Sequence, residues 1–108
     1  MALQHATSGQ AITLLPPELD PTTFSAIALT KTAQIELIRL VLPAGREMPE
    51  HHVKGEITVQ CLAGELAFIT DHSVTLKAGE MLYLEGGKPH ALRAVSDAVA
   101  LVTIVLHH

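Results

Sequence analysis

From Gly45 onward the chain alternates short strand-like runs with tight-turn residues, and this rhythm constrains the fold more than any other feature. ITVQCL (57–62), ELAFIT (65–70), SVTLKA (73–78), MLYL (81–84), HALRAV (90–95) and AVALVTIVL (98–106) are rich in β-branched and apolar residues. Between them lie AGE, DH, GE, EGGKP and SD, which supply glycine, aspartate and proline where reversals need them. Short strands at this spacing, without a convincing helical stretch, predict an all-β sandwich or barrel. Upstream, FSAIALTKT (24–32) and AQIELIRLVL (33–42) extend the pattern. The second has a composition compatible with a helix, but its Ile, Leu and Val content and the following Pro43 favour a strand. AITLL (11–15) is expected as a short strand stopped by Pro16-Pro17, and residues 1–10 as a flexible arm before one domain spanning 11–108.

At 108 residues the chain is long enough for one modest core. Hydrophobic residues make up 48% and charged residues 17%, a balance that belongs to folded rather than disordered chains. With a net charge of −4 and no lysine-arginine cluster, no nucleic-acid partner is expected. No membrane association is expected either, because the longest apolar run, AVALVTIVL, is too short to span a bilayer as a helix. The N-terminus shows neither a positive segment nor an apolar one of the signal-peptide kind, so a cytoplasmic location is the expectation. The single cysteine, Cys61, leaves no internal disulfide, and its aliphatic strand predicts an inert thiol. Apolar residues of 98–106 fall on both faces of the strand. One face can fill a barrel, and the other calls for a second sheet or a second subunit, which makes a homodimer the expected assembly.

PEHHVKGEITVQCLAGE (49–65) and GEMLYLEGGKPH (79–90) carry the chemistry. They resemble the two motifs of the cupin superfamily of double-stranded β-helix, or jelly-roll, barrels. The first motif is G-x5-H-x-H-x3,4-E-x6-G; here Gly45 is followed by five residues, then His51, and the stretch closes at Gly64. The second is G-x5-P-x-G-x2-H-x3-N; here Gly79 is followed by EMLYL, and Pro89 leads into His90. The resemblance implies a cupin barrel with metal ligands at the motif histidines and glutamate. Of those four positions His51 and His90 match, while the second histidine falls on Val53 and the glutamate on Ile57. The proline and asparagine of the second motif fall on Glu85 and Ala94.

Because strand side chains alternate between faces, the opening stretch has two registers. In the first, His51, Val53, Ile57, Val59 and Cys61 point inward; both glycine spacings are kept, and this register is expected. In the second, Glu50, His52 and Glu56 point inward beside His90 and offer carboxylates and imidazoles to Fe, Mn, Ni or Zn. A bulge near Gly55 would give a hybrid in which His51, His52 and His90 converge on one divalent ion. The candidate metal ligands are therefore His51, His90 and His52, and the candidate ligand-binding residues Gln60, Tyr83 and Glu56. The alternative role for Tyr83, implied by the resemblance to cupin epimerases, is proton donation. His72 and Arg93 are read as surface residues, and the terminal pair His107-His108 is set aside as a possible purification tag. Two functions remain in view: a divalent-metal enzyme acting on a small organic molecule, and a non-catalytic module that binds or senses one. A structural dimer with a vestigial site is the third reading.

Overall fold

The computed structural model describes residues 5–106, so the first four residues of the expected arm and the His107-His108 pair lie outside the described residues. Nine strands and no helix are found among the described residues: β1 (Ser25–Lys31), β2 (Ile35–Leu42), β3 (Glu47–His51), β4 (Ile57–Ala63), β5 (Glu65–Ile69), β6 (Ser73–Lys77), β7 (Met81–Leu84), β8 (His90–Ala94) and β9 (Ala98–Val105). They form a five-stranded sheet, β1-β2-β9-β4-β7, and a four-stranded sheet, β3-β8-β5-β6. Every pairing is antiparallel. This is the all-β architecture that the turn spacing predicts, in the jelly-roll form that the cupin resemblance implies. Accordingly, no helix among the described residues is long and apolar enough to cross a membrane.

Alternation decides what each strand buries. In β4, Ile57, Val59 and Cys61 are buried while Thr58, Gln60 and Leu62 are half-exposed. They join Leu40 and Leu42 of β2, Leu66 and Phe68 of β5, and Leu92 and Ala94 of β8 in one cluster between the sheets. The Ile, Val, Leu and Phe side chains among them each contribute about 1.5–3 kcal/mol when removed from water. The observed register is the first of the two expected.

Two departures from expectation have physical causes. AITLL is not a strand: it lies in an irregular segment between a turn and Pro16-Pro17. That N-terminal segment is nonetheless attached. Ala6 N–H donates to the Leu29 carbonyl at 2.9 Å, and the Thr30 hydroxyl donates to the Ala6 carbonyl at 3.0 Å. Arg39 Nη1 donates to the Thr13 carbonyl, so the N-terminal segment covers part of the outer face of β2, the neighbour of β9. Conversely, EMPEH forms a strand, β3, although it lacks apolar alternation. It is an edge strand whose pairing shifts between Met48 and His51, around Pro49. Proline is tolerated at an edge because it removes no ladder bond that a second neighbour would need.

Candidate ligand-binding site

The pairing of β3 with β8 sets His51 directly opposite His90. Their ring centroids are 4.3 Å apart, with the planes inclined by 61°. His90 is 3% exposed and stacks on Phe68, with centroids 5.4 Å apart and planes 13° from parallel. His51 stands at the exposed side of the pair. Each ring is held by the backbone two residues upstream: His51 Nδ1 lies 3.1 Å from the Pro49 carbonyl, and His90 Nδ1 lies 3.0 Å from the Lys88 carbonyl. A carbonyl oxygen only accepts, so each bond requires the proton on Nδ1, and in the neutral ring Nε2 keeps its lone pair. Burial pushes the His90 pKa below the ordinary imidazole value. The Lys88 carbonyl opposes this shift, whereas the neighbouring His51 and His52 reinforce it.

The loop EGGKPH places His90 by backbone contacts. Gly87 has φ +79° and donates its N–H to the Val53 carbonyl at 2.7 Å. Gly86 lies so close to the Lys54 carbonyl that a Cβ would sit 2.1 Å from its oxygen. Only glycine permits both the left-handed turn and the close approach. The loop after His51 and the loop before His90 are thereby pinned to each other.

Both imidazoles line one end of a cavity of about 110 Å3 inside the barrel. Its walls are otherwise apolar, formed chiefly by Met48, Val53, Ile57, Val59, Phe68 and Ile104. The remaining residues singled out from the sequence stand outside it. His52 and Glu56 are exposed, because alternation and the loop at Gly55 turn them away from the barrel. Gln60 is on the outer face of β4, between Met81 and Leu101 on the neighbouring strands. Tyr83 is 60% exposed on that same face. Desolvation raises its phenol pKa, helped by the Glu56 and Glu85 charges. The Cys61 thiol is buried, 3.4 Å from the carbonyls of Ala63 and Gly64, and burial pushes its pKa up, so it is a poor nucleophile. Phe68, which backs His90, went unmarked in the sequence. An apolar residue inside an apolar strand carries no signal of such a role.

Residues 38–107 match the family model for the cupin domain. The chain belongs to the cupin family. A conserved protein of unknown function from Streptococcus pyogenes is similar in structure, with a TM-score of 0.80 at 18% identity over 100% of this chain and 96% of that one. An RmlC-like cupin from Desulfovibrio desulfuricans matches with a TM-score of 0.71 at 25% identity, over 95% of this chain and 96% of that one. A DMSP lyase from Ruegeria pomeroyi matches with a TM-score of 0.70 at 25% identity, over 76% of this chain but 46% of the longer enzyme. The search of curated proteins found no match.

The donor set of this cupin is half the set that the family motifs describe. Val53 and Ile57, at the positions of the second histidine and the glutamate, present aliphatic walls to the cavity. Among the described residues, no group of three or more His, Cys, Asp or Glu side chains is placed to hold a metal ion. The convergence of His51, His52 and His90 on one divalent ion is not formed, because the bulge lies before His51 and not near Gly55. The residues present do not fit a four-ligand centre.

Proposed function

We propose that this cupin binds a small molecule in its barrel: a compact, largely apolar ligand recognised through one hydrogen-bond donor by the His51–His90 pair. The observation that carries this reading is an apolar cavity whose polar end is two imidazoles with both Nδ1 atoms committed to backbone carbonyls. That commitment leaves two Nε2 lone pairs as acceptors. The cavity, about 110 Å3, is somewhat smaller than an engineered cavity of about 150 Å3 that binds benzene. Ligands of one small ring or less are the matching class. Fold likeness to an enzyme carries no reaction with it, and the reading is a binding module.

Phenol and toluene, equal in shape but differing in a hydroxyl donor, provide the test by calorimetric titration. Phenol is expected to bind more tightly than toluene by up to about 10-fold, as one net hydrogen bond allows. The preference should disappear in His51→Ala/His90→Ala. Equal affinities in the native protein, or a phenol preference that survives the double substitution, would count against the proposal.

A divalent ion is the second reading, favoured because metal-bound imidazoles are commonly oriented by a hydrogen bond at the other ring nitrogen. Here His51 and His90 would supply two donors, and the ligand or water the others. Elemental analysis of tag-free protein tests it. Stoichiometric Fe, Mn, Ni or Zn that falls away in His90→Ala supports the ion, and sub-stoichiometric metal removes this reading.

A further inference from the structure

On the outer face of the barrel Arg39 is buried beneath the N-terminal segment. Because Ile38 and Leu40 point into the barrel cavity, Arg39 points the other way from β2, between Ile27 and Leu101 on the flanking strands. The residue is 7% exposed. Its Nη1 donates one long bond, 3.3 Å, to the Thr13 carbonyl. Its Nε is enclosed and meets no acceptor among the described residues. The one ion pair among the described residues joins Lys88 to Asp71, so no described carboxylate neutralises the guanidinium. A buried charge without a counter-charge is costly, and an arginine at this depth is normally paired.

Arg39 forms part of the wall of a cavity of about 190 Å3 under the N-terminal segment, with Gln10, Thr13, Ala11, Ile12 and Leu29. Gln10 adds a second donor. Its Oε1 accepts from the Thr7 N–H at 3.0 Å, which fixes the amide orientation and leaves the NH2 group available. A planar cationic fork, one amide donor and alkyl walls match a carboxylate with a short apolar tail. A phosphate dianion fits less well, because one guanidinium charge would leave it net negative between alkyl walls. We infer that this cavity is a site for a small aliphatic monocarboxylate, neutralised by Arg39 and separate from the barrel cavity.

Butyrate, butyramide and inorganic phosphate, at equal ionic strength, are the probes for amide NMR titration of the full chain. Butyrate should shift the amides of residues 6–13 and the Arg39 side-chain N–H saturably. Butyramide and phosphate should leave them in place. The affinity should fall about 10-fold or more in Arg39→Met, the scale of a lost hydrogen bond to a charged group, and remain unchanged in His90→Ala. Gln10→Ala, which leaves the core untouched, should weaken butyrate and provides the test should Arg39→Met fail to fold. The inference is overturned by any of three results: no saturable shift at 6–13, an equal response to butyramide or phosphate, or a butyrate response that Gln10→Ala and every folded Arg39 variant leave intact.

Discussion

The inward faces of the strands differ between the two ends of the barrel. At one end Leu42, Cys61, Leu66, Ala94, Ala98 and Ala100 are almost completely buried. Further along the same strands, the inward side chains line a cavity: Ile38 on β2, Val59 on β4, Phe68 on β5, Leu92 on β8 and Val102 on β9. The filled end contains the smaller residues, with Ala98 opposite Leu42 and Ala100 opposite both Leu40 and Cys61. The hollow end carries larger side chains. Side-chain volume along a strand therefore does not set where a barrel is hollow. What distinguishes the hollow end is the pair of polar rings at its rim, held there by backbone carbonyls and the glycine loop.

Substitutions at each end break or sharpen that contrast. The largest effect is expected from Leu66→Ala at the filled end, where a fully buried side chain leaves a void: a loss of about 2–5 kcal/mol in urea unfolding. Overpacking the same end with Ala94→Val should cost about 1–3 kcal/mol by the same measurement. His90 makes the hollow end pH-sensitive. Its pKa is depressed in the folded state, so the unfolded chain takes up a proton first as the pH falls. Its contribution to stability is complete above about pH 6.5 and is lost as the pH drops from there through the depressed folded value. Urea midpoints between pH 8 and pH 5 should show this slope in the native protein and a shallower one in His90→Gln. The smallest effect is expected from Val53→Ile at the cavity wall, where an added methyl meets open space: stability within about 0.5 kcal/mol of the native protein, accompanied by weaker phenol binding.

The filled end was more legible in the sequence than the site. β4 to β9 begin where turn residues stop, because glycine, aspartate and proline impose the reversals locally. β3 was hidden because Glu47–His51 has no apolar alternation to report; a neighbouring strand, not its own composition, makes it a strand. AITLL misled in the opposite direction, being apolar enough for a strand but placed where Pro16-Pro17 and a preceding turn leave it irregular. Within the site, His51 and His90 were legible through motif spacing, and alternation placed Val53 and Ile57 on the wall. Gln60 and Tyr83 have the chemistry of ligand contacts, yet period-two geometry carries them to the outer face. Arg39 interrupts the apolar run IELIRLVL, a signal whose meaning emerges only when the segment covering it is located.

The most direct test of the central claim is the side-chain 15N NMR spectrum of His51 and His90 at pH 7 in metal-free protein, before and after phenol is added. His90 should be neutral, and both rings should carry a proton on Nδ1, where the Pro49 and Lys88 carbonyls accept it, with Nε2 resonances that move as phenol donates to them. An imidazolium signal from His90, a neutral ring protonated on Nε2 rather than Nδ1, or Nε2 resonances indifferent to saturating phenol would contradict the account.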